Sequence, residues 1–168
     1  MANVKPFKTI LYATNLGSHM RPVFRQAVNL ARIHQAKIIM LHAVAPIGTT
    51  GQAILSLYLP EREVTEIEQE SMNQVMATMR ERLNNYCAEE DDLCQDKDAL
   101  IEKIVVSAGN PAEVIKRYVE THAVDLIVIG SHTKVHAGSV LLGSTARLVT
   151  QHSTVPVLII PNVQPEMA

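Results

Sequence analysis

The chain contains no tryptophan, and its 168 residues include only four tyrosines and two phenylalanines. Proteins that hold single-stranded nucleic acid stack bases on aromatic rings, and so few rings leave little for such a platform. Positive charge is not in excess either: 15 Lys and Arg stand against 17 Asp and Glu, a formal net charge of -2. A phosphate-gripping surface usually shows a basic excess or a dense basic stripe, so nucleic acid is excluded as a partner on two counts. Long apolar runs are also missing. Stretches such as Ile38-Ile39-Met40-Leu41 and Leu126-Ile127-Val128-Ile129 fall far short of the ~20 residues of a membrane-spanning helix. Met1 to Lys8 carries lysines and a proline without the apolar core of a secretory signal. Cysteine is scarce, and Cys87 and Cys94 match neither a zinc pattern nor a C-x-x-C redox pair. Reduced thiols in a cytoplasmic protein without membrane attachment are the expectation.

What is present suits a packed core. Hydrophobic residues make up 47% and charged residues 19% of the chain, and its length predicts a single domain over residues 1–168. Short aliphatic runs bounded by turn residues occur at Thr9 to Ala13, Lys37 to Val44, Ile101 to Ser107, Asp125 to Ile129 and Val155 to Ile160. Continuous Ile, Val and Leu, rather than apolar-polar alternation, predict strands covered on both faces.

Helical periodicity fills the gaps between these runs. Val23, Phe24, Ala27, Val28, Leu30 and Ala31 mark one face of a helix ending near His34, with Pro22 in its first turn. A long helix is predicted from about Glu61 to Tyr86, with Met72, Met76 and Met79 as packing surface. Gly109-Asn110-Pro111 starts another helix, and Gly143-Ser144 a further one. Residues 45–59 fit either a lid or an extra helix. The acidic run Glu89-Glu90-Asp91-Asp92 reads as a solvated turn. Strand-helix alternation of this kind predicts an α/β fold: an open five-stranded parallel sheet with helices on both faces and right-handed crossovers.

Ligands of such sheets bind at the carboxyl ends of the strands where strand order reverses, here beside the first and fourth strands. The loops to inspect are Ala13 to Ser18 and Gly130 to Gly143. The glycines Gly130, Gly138 and Gly143 allow close approach to the backbone. Ser144 and Thr145 lie at a helix start, where the dipole favours an anion such as phosphate; alternatively, Gly143 is a turn and Ser144 a plain N-cap. Neither a Walker loop nor a G-x-G-x-x-G element is present. His132 and His136 are read as solvent-facing or phosphate-adjacent, and Lys134 as reaching a phosphate or the solvent. Arg147 faces solvent, and His42 is a hydrogen-bonded core histidine.

Gly130-x2-Thr133-x9-Gly143-Ser144 resembles the nucleotide loop of the universal stress protein family, G-x2-G-x9-G-(S/T). Ile10 to Leu16, Leu41 to Val44, Gly109-Asn110-Pro111, Asp125 to Ser131 and Val155 to Ile159 are similar to that family's flanking elements. The resemblance spans nearly the whole chain. It implies a Rossmann-like fold of the adenine nucleotide alpha hydrolase type and a homodimer that binds ATP, with or without Mg2+, as a ligand or switch. Carried over, Ala13 and Asn15 would lie by adenine and ribose, and Ala43 and Ile129 against the base. Gly130, Thr133, Gly143, Ser144 and Thr145 would surround ribose and phosphates. Two positions depart from the pattern: Asn15 stands in place of Asp, and Thr133 in place of the second Gly. With no carboxylate in either loop to activate water, slow hydrolysis at most is expected. The apolar edge Val155 to Ile160 lacks a charged gatekeeper, which predicts pairing with a second copy. A dimer with an empty crevice, acting through protein contacts, is the alternative.

Overall fold

Parallel pairing covers both faces of a strand with crossover helices, and the uninterrupted aliphatic runs meet that demand. The structure, a computed structural model, describes residues 5–44, 49–89, 100–132 and 142–162. Its strands are β1 (Thr9–Ala13), β2 (Lys37–Val44), β3 (Ile101–Ala108), β4 (Leu126–Gly130) and β5 (Val157–Ile160). They form one sheet in the order β3-β2-β1-β4-β5, each neighbouring pair parallel. The helices are α1 (Arg21–His34), α2 (Thr49–Tyr58), α3 (Glu61–Glu89), α4 (Pro111–Thr121) and α5 (Ser144–His152).

Alternate side chains of the central strand enter separate layers. Ile10 and Tyr12 pack with α1 and with Met79 of α3, whereas Leu11 and Ala13 pack with α4 and α5. Helices therefore lie on both faces. The buried stripe of α1 is Val23, Phe24, Ala27, Val28 and Ala31, with Pro22 in its first turn. The helix stops where Gln35 adopts φ 54°, and the Ala36 N–H donates to Ala31 O at 2.7 Å. α4 begins after Gly109, at φ +142°, where an added Cβ would lie 2.9 Å from Val114 Cγ2. The Asn110 side chain then accepts the Ala112 N–H at 3.0 Å, and Pro111 occupies the first turn.

The strand bounds differ from the sequence reading at four places: β3 and β4 each run one residue further, to Ala108 and Gly130, and β4 and β5 each begin later. β5 starts at Val157 rather than Val155, because Ser153 Oγ holds both the N–H and the carbonyl of Val155, at 3.2 and 2.7 Å. Pro156, moreover, has no N–H for a ladder. Asp125 stands just before β4: its N–H donates to Thr9 O at 2.9 Å, while its carboxylate takes the N–H groups of Lys8 and Thr9.

α3 buries Met79 fully and Met72 and Met76 in part, while Ile67 is 43% exposed; the helix rests on β3 only toward its later turns. Residues 49–58, open between two readings, form a helix against α3 that leaves Ile54, Leu57 and Tyr58 exposed. Glu90, Asp91 and Asp92 lie outside the described residues. Among the described residues, no helix is long and apolar enough to cross a membrane.

At the amino end of the sheet, Asp125 Oδ2 accepts the N–H groups of Lys8 at 2.7 Å and Thr9 at 3.0 Å. Partial burial pushes this carboxyl upward, but the two N–H donors and the Lys5 and Lys8 charges outweigh it and hold the group below the ordinary aspartate range. A depressed carboxylate contributes stability above its unfolded value of about 4 and loses it as pH falls through the folded value. In urea titrations across pH 7 to 2, wild type should therefore lose more stability than Asp125→Asn below about pH 4. At pH 7 the variant should be weaker by about 1 kcal/mol. Parallel pH curves would refute this role.

Candidate functional site

β1 is flanked by β2 and β4, and the crossovers that follow β1 and β4 run over opposite faces of the sheet. A cleft lies at the carboxyl ends of these strands. In register, Ala13 lies between Leu41 of β2 and Ile129 of β4. A methyl between two larger aliphatics lowers the floor at β1. Ala43, Met20, Pro111 and Ile115 extend this apolar lining. Polar groups enter from Thr14, Asn15, Ser131, His132, Gly143 and Thr145, around about 570 Å³ of open space.

Local bonds hold the β1 loop. Thr14 Oγ1 accepts the Leu16 N–H at 3.1 Å, and Asn15 Oδ1 accepts the Gly17 N–H at 3.0 Å. Asn15 Nδ2 also contacts His19 Nε2 at 3.3 Å, and Leu16 is held at φ 65°. His42 Nδ1 lies 2.8 Å from Thr14 O; a carbonyl only accepts, so the imidazole carries its proton there. The hydrogen bond read from the sequence is present, but His42 is half-buried at the end of β2 rather than in the core.

The opposite lip is built on Ser131, which is buried together with Asn162. Ser131 N–H continues the ladder to Ile160 O at 2.9 Å, and Gly143 N–H returns to Ser131 O at 2.8 Å. The Ser131 hydroxyl donates to Asn162 Oδ1 at 3.0 Å. With its one proton so placed, its 2.8 Å contact with His132 Nδ1 requires the imidazole to donate. Beyond this lip, α5 opens with Gly143 as N-cap and no side chain capping it. The first-turn N–H groups, which lack partners within the helix, stand at the cleft through Thr145 and Ala146.

An apolar floor ending at an uncapped helix terminus fits a ligand with a flat apolar body and an anionic tail. Among the described residues no group of three or more His, Cys, Asp or Glu side chains is placed to hold a metal.

The family model described as the Universal stress protein family matches residues 6–161. The chain belongs to this family. Universal stress protein MJ0577 of Methanocaldococcus jannaschii is 27% identical over 158 residues, which cover 92% of this chain and 94% of that one. Universal stress protein UspA of Lactobacillus plantarum superposes with a TM-score of 0.67 at 23% identity, covering 92% and 98% of the two chains. A universal stress protein solved in complex with cAMP superposes with a TM-score of 0.59 at 18% identity, covering 94% and 98%. Likeness at these identities establishes a shared universal stress protein fold.

Of the residues singled out from the sequence, Ala13, Asn15, Ala43, Ile129, Gly130, Gly143 and Thr145 line this universal stress protein's cleft. Ser144 begins α5 exposed and is not part of the lining; the cap position belongs to Gly143, not to Ser144. Thr133, Lys134, His136 and Gly138 lie outside the described residues. Arg147 is exposed. Gly130 does not open the backbone to a ligand on its Cβ side: an added Cβ would lie 2.7 Å from Asn162 Nδ2. Sequence reasoning missed Asn162 itself, along with Met20 and Ile115. The available signal was a lone amide directly after the last aliphatic strand, at the ligand-bearing end of the sheet. His42→Leu keeps the volume but leaves Thr14 O without its donor. It should lower stability by about 1–2 kcal/mol and shift Tm down by about 2–8 °C; an unchanged Tm would show that the β1 loop does not depend on this bond.

Proposed function

We propose that this universal stress protein binds an adenine nucleotide, ATP first among them, as a ligand or switch in the cleft between β1 and β4. The observation that carries this reading is the apolar floor of Ala13, Leu41, Ala43 and Ile129 running up to the uncapped start of α5. A purine is flat and apolar enough for the floor, and phosphates favour the helix terminus. The solved relative in complex with cAMP supports an adenine ligand for this fold. Ala13, Asn15, Ala43 and Ile129 would meet base and ribose; Gly130, Thr133, Gly143, Ser144 and Thr145 would surround ribose and phosphates. Mg2+ would arrive bound to the phosphates. No carboxylate stands among the described lining residues to activate water, so turnover is slow or nil.

A second reading, a universal stress protein that works through protein contacts with its crevice empty, is favoured by one observation. The Asn15 amide is engaged in its own turn, with Gly17 and His19. Melting with and without millimolar ATP and Mg2+ separates the two. ATP at about 100 times its Kd should stabilise by about 2.7 kcal/mol, a rise of several degrees. Gly143→Val should abolish the rise while the apo protein stays folded with a somewhat lower Tm, because φ -58° and ψ 150° suit a non-glycine residue but valine is a poorer N-cap than glycine. No rise in wild type would favour the second reading.

Homodimerisation through Val155–Ile160 belongs to the same proposal. β5 is an edge strand with Val157 to Ile160 all partly exposed, and a twofold pairing of two such edges would cover them. Light scattering should report twice the chain mass, and Val157→Lys with Ile159→Lys should return a monomer. A monomeric wild type at micromolar concentration would overturn this assignment.

A further inference from the structure

Asn162 follows β5 by two residues and yet is only 3% exposed. Its carboxamide meets the backbone of His132 with both ends. Oδ1 accepts the His132 N–H at 2.9 Å, and Nδ2 donates to His132 O at 2.9 Å. A neighbouring strand would offer the same donor and acceptor, so the side chain continues the β4–β5 pairing one step past the last ladder bond. Oδ1 also accepts the Ser131 hydroxyl, Ser131 Oγ accepts the Asn162 N–H at 3.4 Å, and Nδ2 reaches Met20 Sδ at 3.5 Å. Met20 and His132 both line the cleft. One buried amide therefore joins the end of the edge strand to residues that follow β1 and β4. Through Ser131, which receives the Gly143 N–H, it also reaches the start of α5. Gly130 completes the arrangement, since any Cβ there would take the space of the amide.

We propose that Asn162 is a positioning residue of the ligand cleft: it holds His132, and through Ser131 the start of α5, at the spacing an anionic ligand needs. This rests on the nucleotide reading, because affinity is its consequence. Its geometric part, the clamp on the His132 and Gly143 amides, does not.

The test uses the full chain as wild type, Asn162→Ala, Gly130→Ala and the double variant, each followed by ATP titration and amide hydrogen exchange. Asn162→Ala should weaken ATP binding tenfold or more, and Gly130→Ala, which displaces the amide, should do the same. The double variant should be no weaker than Asn162→Ala alone, because both changes remove one interaction. A merely structural role would lower Tm and leave the Kd of the folded protein unchanged. An unaltered Kd, or losses that add in the double variant, would overturn the proposal. If wild type does not bind ATP, the nucleotide reading fails, and exchange then decides on the clamp. Exchange of the His132 and Gly143 amides at least tenfold faster in Asn162→Ala upholds it, and equal rates overturn it.

Discussion

Strand β1 is paired in parallel on both sides, to β2 and to β4, and the crossovers leaving β1 and β4 run over opposite faces of the sheet. A right-handed crossover carries the chain from β1 over the α1 layer and from β4 over the α5 layer. The chain leaves these two strands toward opposite faces, and the cleft lies at their carboxyl ends. The register matters as much as the order. Ala13 is placed level with Leu41 and Ile129, so the smallest side chain in the row sits where the strands end.

Electrostatics complete what sterics begin. The described lining has no carboxylate, lysine or arginine, and His132 is its titratable group. Among the described residues, the attraction for an anion comes from backbone dipoles at the first turn of α5, whose N-cap glycine has no side chain to bond them. Dipoles of this kind are fixed by the fold and do not relax as mobile ions would. An apolar floor strengthens them by keeping water away.

Polar side chains in this protein are used to hold loops rather than to present charge. Asn15 and Thr14 bond to the N–H groups of their own turn, and His42 secures the carbonyl of Thr14 from the adjacent strand. Asp125 does the equivalent work at the amino end of the sheet, where β1 and β4 begin. Burying such groups is favourable only because each finds its partner. Most of the bonds nearest the cleft among the described residues therefore fix backbone position.

The helix over 49–58 stayed open between two readings, whereas the strand order, the other four helices, the two-faced burial and the location of the crevice were legible in the sequence. Each is written in residues close together: the run Leu126 to Ile129, the stripe Val23 to Ala31, the turn Gly109-Asn110-Pro111. Departures arose where a polar group competed, nearby at Ser153 before β5 and from far along the chain elsewhere. Asp125 stands just before β4, its carboxylate on the N–H groups of Lys8 and Thr9, more than a hundred residues earlier. Asn162 is the clearest case, because its partners Ser131 and His132 lie about 30 residues away and Met20 lies 142 away. Gly130 looked like room for a ligand, and the folded chain fills that room with its own amide. The sequence alone determined which segments are strands and, 49–58 apart, which are helices, since hydrophobic periodicity is local. Only the tertiary structure decided which polar atoms meet at the cleft, since a hydrogen-bond partner brought in by the sheet leaves no periodic mark on the chain.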